Sequence, residues 1–356
     1  MTGSPLPVHG GPDAQGVPLH DFSTNANACG PCPHAVAALR AADPARYPDP
    51  AYTALREQLA AFHGVARDRI VLAGSASEFI ARITAAVAFG ARGQPGAVQV
   101  PRHAYGDYAR AAQAWGLAVR AEEAAEGAVD GAMAAEPPLL AWACDPSAPL
   151  GRPHAGLAAK VDALAPGVPM VLDRAYEPLR LTGALALAPA QLDRVWQLWS
   201  PNKALGLTGV RGAYAIAPAG DAQAGLLRRL SHLAPSWPLG AHAVAMLQSW
   251  AGAAAQAWLA HSLPTLRAWK AEQMRMCAGF GWCVLDSDAN YFCADWRAAP
   301  GLADAAAALQ ALRRQGLKLR DAGSFGLPGH VRLGVRGPHS QAALLAAWAS
   351  IRSRHP

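Results

Sequence analysis

The arrangement with the most chemical content in this chain is a lysine with a hydroxyl three residues before it and an arginine eight residues after it: Ser200, Lys203 and Arg211. The apolar run from Val195 to Trp199 precedes this stretch and Ala213 to Ala217 follows it, so Lys203 lies in a loop between two buried strands. An amine acts as a nucleophile only without its proton, and removing that proton at pH 7 against a reference pKa of about 10.4 opposes about 4 to 5 kcal/mol. Covalent capture of an aldehyde as a Schiff base removes that cost. The aldehyde then needs an anchor. Ser200 and Arg211 suit a phosphate, the guanidinium being a planar fork of donors. A surface loop carrying a lysine and an arginine would read the same way, so the elements around it must decide.

Ile70-Val71-Leu72 reads as a short strand that runs through Ala73-Gly74-Ser75-Ala76-Ser77-Glu78 into a helix reaching Ala88. Small residues in such a turn leave backbone N–H groups open to an anion. Ala97 to Val100, Leu117 to Val119 and Leu139 to Ala143 are further strands, and Pro101 to Tyr108 leads into a helix ending near Trp115. Val168 to Leu172 is another strand, with Pro169 near its start, where a missing donor is tolerated. It ends in Asp173-Arg174-Ala175-Tyr176. An Asp at the carboxyl end of a buried strand points toward the crevice where open α/β sheets bind ligands; a helix cap is the alternative. Alternation of strand and helix predicts a largely parallel sheet.

Past Arg211, helical patterns cover Ala222 to His232, Leu239 to Trp258 and about Leu263 to Phe280. Asn290 to Cys293 then reads as a strand, Leu302 to Gln315 as a helix, Leu317 to Arg320 and Val331 to Val335 as strands, and Ser340 to about Ile351 as a closing helix. This is the pattern of a separate α+β unit. Residues 1–20, rich in Gly and Pro, read as a mobile arm, followed by helices from Pro33 to Ala42 and from Tyr52 to His63. The expected division is 1–42 as the arm and part of a small domain, 43–250 as a large domain and 251–356 as the rest of the small one.

With 356 residues, 52% of them hydrophobic, the chain can bury a large core. Its net charge of +6 comes from scattered Lys and Arg, which suits small anionic substrates and argues against nucleic-acid binding. No apolar run approaches the roughly 20 residues of a membrane span, and the N-terminus lacks the charged and apolar regions of a signal peptide; both predict a cytoplasmic protein away from membranes. Cys29-Gly30-Pro31-Cys32 has the form of a thioredoxin redox motif, yet it precedes any candidate strand. Two cysteines are also too few for a structural zinc site, so the segment reads as a Gly-Pro turn and no metal is expected.

Several short segments fall in one order: Asp21-Phe22-Ser23, Asn25 and Asn27, Arg46-Tyr47-Pro48-Asp49, Leu72-Ala73-Gly74, Tyr105-Gly106-Asp107-Tyr108, Asp173, Lys203, Arg211 and Asn290-Tyr291-Phe292. Through them, from about Asp21 to Ile351, the chain resembles the histidinol-phosphate aminotransferase branch of the fold-type I enzymes that use pyridoxal 5'-phosphate (PLP). It is as similar to the threonine-phosphate decarboxylases of cobalamin synthesis, which share that branch. The resemblance implies an α/β protein of the PLP-dependent transferase fold type I. A large domain would hold a mostly parallel sheet sandwiched by helices, beside a small α+β domain.

Carried over residue by residue, the resemblance implies that Lys203 forms the Schiff base and later moves a proton between carbon atoms. Asp173 would pair with the ring nitrogen and Tyr176 would bond the ring hydroxyl oxygen. Tyr105 would stack on the ring, while the backbone N–H groups of Ala76 and Ser77 would join Ser200 and Arg211 on the phosphate. Arg332 matches an arginine that clamps a substrate carboxylate or equivalent anion, and Asn27 falls among the substrate-binding residues. Tyr47 matches a tyrosine that reaches the phosphate of the neighbouring subunit, which implies a homodimer.

The reaction so implied is amino transfer between a small amine or amino acid, phosphorylated or not, and a 2-oxo acid. Decarboxylation of an amino acid phosphate is the alternative, toward which Trp237-Pro238-Leu239 leans. A non-catalytic descendant of the fold is a third reading, motivated by Ala148, which stands where the family's two-proline loop carries an Asn for the ring hydroxyl oxygen. Asp145 likewise replaces a common Asn, Arg174 a frequent acidic residue, and Pro201-Asn202 before the lysine is a further departure. One lost hydrogen bond is worth about 1 to 3 kcal/mol, which weakens rather than abolishes the case for catalysis.

Overall fold

Short apolar runs bounded by turns form most of a seven-stranded sheet. The computed structural model describes residues 9–122, 137–297, 299 and 304–352. In chain order its first elements are β1 (His20–Asp21), α1 (Pro33–Ala41), α2 (Thr53–His63), β2 (Ile70–Ala73), α3 (Ala76–Gly90), β3 (Ala97–Val100), α4 (Gly106–Ala114) and β4 (Ala118–Ala121). They are followed by β5 (Leu140–Cys144), α5 (Leu157–Asp162), β6 (Met170–Asp173), α6 (Pro189–Leu192), β7 (Trp196–Trp199) and β8 (Ala213–Ile216). The sheet order is β2-β8-β7-β6-β5-β3-β4, with β8 antiparallel to β2 and β7 and the remaining pairs parallel.

Every residue of β2, β5, β6, β7 and β8 is buried, because helices cover both faces. Alternate side chains therefore feed two cores. Ile70, Leu72, Trp199, Tyr214 and Ile216 pack with Leu55 and Leu59 of α2. Val71, Ala73, Trp196, Leu198 and Ala215 pack with Phe79, Ile80 and Ile83 of α3 and Tyr108 of α4.

The later elements are α7 (Ala224–His232), α8 (Ala241–Trp250), α9 (Ala253–Gly279), β9 (Cys283–Val284), β10 (Tyr291–Asp295), α10 (Ala305–Arg314), β11 (Leu317–Lys318), β12 (Arg320–Asp321), β13 (His330–Gly334) and α11 (Pro338–Arg352). A four-stranded antiparallel sheet runs β12-β13-β10-β9. β1 pairs in parallel with β11, which builds the segment around Asp21 into this C-terminal half. Phe22, Phe292, Leu333 and Trp348 share its core.

Three expectations need correction. The helical patterns from Leu239 to Phe280 divide at Gly252, whose extended backbone caps α9, and not before Pro264. Pro264 lies inside α9; an interior proline costs about 3 kcal/mol, which buried Leu259 and Leu266 on either side help to offset. The run Leu317 to Arg320 serves two sheets, β11 facing β1 and β12 facing β13. Residues 9–20 of the expected mobile arm are tied down: Gly11 N–H donates to Ser23 Oγ at 2.9 Å, and Asp13 pairs with Arg313 at 2.8 Å and Lys318 at 3.0 Å. These cations hold the Asp13 carboxyl well below the usual range.

The segment after the arm crosses the lysine loop. Asn27 N–H donates to Lys203 O at 2.9 Å and Cys32 N–H to Leu205 O at 2.8 Å. Gly206 turns there with φ +70°, and a Cβ at that position would lie 2.8 Å from Gly30 O. Cys29 is partly buried, and burial pushes its thiol up, the opposite of what a redox motif needs. Gly206→Ala is expected to cost about 2 kcal/mol through left-handed strain and the backbone contact, read as a lower urea midpoint of the cofactor-free protein.

Candidate active site

The carboxyl ends of β2, β6 and β7 open at one edge of the sheet onto a cavity of about 610 Å³, within the range of small-molecule pockets. At the end of β2, Ser75 caps α3, its Oγ accepting from Glu78 N–H at 3.0 Å. Glu78 also receives Gly74 N–H at 3.1 Å and pairs with buried Arg82 at 2.8 Å, and Arg82 donates to Leu72 O at 2.6 Å. This network fixes the turn so that Ser75, Ala76 and Ser77 line the cavity. The first N–H groups of a helix have no partner within it and carry the positive end of its dipole. Ser200, Thr208 and Arg211 line the same cavity, which completes the donor set for an anion.

At the end of β6, Asp173 is 6% exposed. Its Oδ1 accepts from Ala175 N–H at 2.9 Å and its Oδ2 from Tyr108 Oη at 2.7 Å. Burial pushes the carboxyl pKa up; the two hydrogen bonds and the charge of Lys203 oppose this without cancelling it. Lys203 Nζ donates to Ser200 Oγ at 2.9 Å and lies 5.3 Å from the centre of the Tyr176 ring. Tyr176 Oη accepts from Asn25 Nδ2 at 3.3 Å. Tyr105 shares a hydrogen bond of 3.2 Å with Ser77 Oγ, and burial pushes its phenol up to about 12.

The smaller sheet supplies the opposite wall. Arg320 of β12 and Arg332 of β13 are register partners, and both line the cavity. Like charges placed directly across a ladder repel. Burial and the neighbouring Arg332 bring Arg320 down to about 10. Arg332 donates to Ser23 O at 3.1 Å, and among the described residues its buried Nε has no partner.

Lys203, Asp173, Tyr176, Tyr105, Ala76, Ser77, Ser200, Arg211 and Arg332 are thus brought together around one cavity. Asn27 and Tyr47 are placed elsewhere. Asn27 donates to Ala204 O at 3.2 Å and Ser262 Oγ at 2.8 Å and accepts from Cys29 N–H, so its amide is used within the fold. Tyr47 is 78% exposed and stacks on Trp237 at 4.5 Å. Residues to which the sequence assigned no role also line the cavity: His9, Asn25, Tyr108 and Arg320. Asn25 and Tyr108 stand in segments that were already informative; the pairing of Arg320 with Arg332 has no local signal.

The departures have structural partners. Asp145 pairs with buried Arg180 and accepts from His154 N–H at 2.9 Å. Arg174 lies over the Trp199 ring at 4.3 Å and donates to Gln197 Oε1 at 2.8 Å. Ala148 lines the cavity and brings no side-chain donor.

Asp173 also couples stability to pH. Its folded pKa lies above the ordinary 3.8, so as pH rises through that window the unfolded chain releases the proton first and this group costs the fold stability. Asp173→Asn removes the cost. The cofactor-free variant should melt higher than wild type at pH 7, and the difference should shrink toward pH 4, as scanning calorimetry would show.

The profile of the family "Aminotransferase class I and II" matches residues 17–351. The histidinol-phosphate aminotransferase of Symbiobacterium thermophilum is 29% identical over 349 residues, which cover 92% of this chain and 90% of the relative. The crystal structure of the histidinol-phosphate aminotransferase from Sinorhizobium meliloti in complex with pyridoxal 5'-phosphate superposes with a TM-score of 0.76 at 22% identity, covering 93% of this chain and 89% of that one. That of L-threonine-O-3-phosphate decarboxylase from Porphyromonas gingivalis does so with a TM-score of 0.73 at 20% identity, covering 93% and 99%. The fold is the PLP-dependent transferase fold type I, as the resemblance implied. The chain belongs to the class I and II aminotransferases and is an enzyme that transfers amino groups with pyridoxal 5'-phosphate as its cofactor.

Proposed function

We propose that this aminotransferase acts between a small amine or amino acid bearing an anionic group, such as a phosphate, and a 2-oxo acid. The observation that carries the reading is the buried pair Arg320 and Arg332 on one wall of the cavity. Two adjacent guanidinium groups repel until an anion lies between them, so a substrate with a carboxylate or phosphate there is favoured over a neutral one. The relatives named for histidinol phosphate make that compound the first to test.

The residues fit the cofactor. When bound, PLP supplies an electron sink for the bond broken at the substrate α-carbon. Ala76 and Ser77 N–H, Ser200 and Arg211 would hold its phosphate at the end of α3. Asp173, a buried carboxylate in want of a cation, would meet the ring nitrogen. Tyr105 would cover the ring face. Tyr176 Oη accepts a hydrogen bond from Asn25, which leaves its own proton free to donate to the ring oxygen that Ala148 cannot serve. Lys203 Nζ is the base that takes and returns the proton at the substrate carbon. Asn25 replaces Asn27 in this reading as the amide facing the substrate.

We place the enzyme in the cytoplasm as a homodimer. All six cysteines are free thiols, which suits a reducing compartment. Among the described residues no helix is long and apolar enough to cross a membrane. Tyr47 is exposed and outside its own chain's cavity, available to the phosphate site of a second copy.

Two experiments test these assignments. Protein loaded with PLP should show a visible absorbance band that Lys203→Ala lacks; histidinol phosphate should bleach it and a 2-oxo acid should restore it. Release of carbon dioxide from an amino acid phosphate without bleaching would replace transamination by decarboxylation. For the dimer, inactive Lys203→Ala and impaired Tyr47→Ala chains should regain activity when unfolded and refolded together, because mixed dimers hold one intact site. No regain would remove Tyr47 from the partner's site.

A further inference from the structure

Tyr108 has a hydroxyl in a place where a hydroxyl is costly. It lies in the first turn of α4, fully buried, among Val98, Val100, Ala112 and Trp142. Its ring stacks on Trp142 at 4.3 Å with planes 11° apart and meets Tyr105 edge-on at 6.0 Å. Packing on these rings leaves the phenol one direction, and there Oη donates to Asp173 Oδ2 at 2.7 Å. A buried hydroxyl without such a partner would cost about 1 to 3 kcal/mol by protein mutational measures.

We propose that Tyr108 is a positioning residue: it holds the Asp173 carboxylate ionised and fixes its plane so that the remaining lone pairs face the cofactor ring nitrogen. This rests on the reading of Asp173 given above. Two donors, Tyr108 Oη and Ala175 N–H, take one oxygen each, so the carboxylate cannot rotate without breaking both. The Cys144 thiol, beside the phenol, donates its own proton to Pro146 O at 3.3 Å. The hydrogen bond from Tyr108 also opposes the upward push that burial gives the carboxyl. With Ala148 contributing nothing to the ring oxygen, the ring's electronic state depends more heavily on the Asp173 side of the cavity.

The test is a double-mutant cycle read by cofactor affinity and not by turnover. Tyr108→Phe keeps the ring and its stacking on Trp142 and removes only the donor. PLP dissociation constants are measured by absorbance titration for wild type, Tyr108→Phe, Asp173→Asn and the double variant, with melting temperatures of the cofactor-free proteins as a check on folding. Tyr108→Phe should weaken PLP about tenfold, Asp173→Asn more, and the double variant no more than Asp173→Asn alone. Wild-type affinity in Tyr108→Phe, or effects that multiply in the double variant, would overturn the proposal while leaving Asp173 in its role. Unchanged affinity in Asp173→Asn would overturn the Asp173 reading and this one with it. A ring-fluorinated tyrosine at position 108, a stronger donor of the same shape, should tighten PLP binding even if the phenylalanine variant does not fold; unchanged affinity there also counts against the proposal.

Discussion

The parallel pairing of β6 with β7 is the constraint on which the cavity depends. Its register sets Asp173 opposite Leu198, two residues before Ser200, so the carboxylate and the lysine loop leave the sheet side by side. A slip of one residue would send Val171, Leu172, Trp196 and Leu198 to the wrong cores, since both faces of the sheet are covered. The register is therefore held by packing on both sides, and the chemistry inherits its precision. β8 returns antiparallel and brings Gly212 and Arg211 back to the same edge.

A second constraint comes from the N-terminal segment, which is strapped across both halves of the molecule. Half-buried Arg336 donates to Asp21 O and Thr24 O, and Asn290 Nδ2 donates to Asn25 O at 3.2 Å. A guanidinium donating to backbone carbonyls holds a segment that has little apolar surface of its own. In consequence Asn25 reaches Tyr176, and His9 and Gly10 close part of the cavity mouth. Gly10 has no alternative there, because a Cβ would lie 2.3 Å from Ser23 O.

Asp145 and Arg174, at which the chain departs from the resemblance, have local partners. Asp145 is one half of a buried ion pair with Arg180, which Glu177 also holds at 2.7 Å. Removing one member of such a pair leaves a buried charge uncompensated, at a cost of about 3 to 5 kcal/mol, so Asp145 and Arg180 are kept together by the fold. Arg174 alternates with Asp173 onto the opposite face of the sheet, where Trp199 and Gln197 receive it. Neither change enters the cavity. Ala148 does line it, without a side-chain donor.

The strand and helix order, the spacing of Ser200, Lys203 and Arg211, and Asp173 at a strand end could be read from the amino-acid order alone. These are legible because apolar periodicity and short-range spacing are local properties. The helix through Pro264 was not, since burial on either side outweighed a local penalty. The tied arm was not, because its partners Arg313 and Lys318 lie about 300 residues away. Which side chains meet was settled by long-range packing. Register between β12 and β13 set Arg320 beside Arg332, the crossing of the arm gave the cavity Asn25 in place of Asn27, and stacking on Trp142 aimed Tyr108 at a carboxylate 65 residues further on. Each of these depends on the direction of a side chain after distant elements have packed, and direction is not written in spacing along the chain.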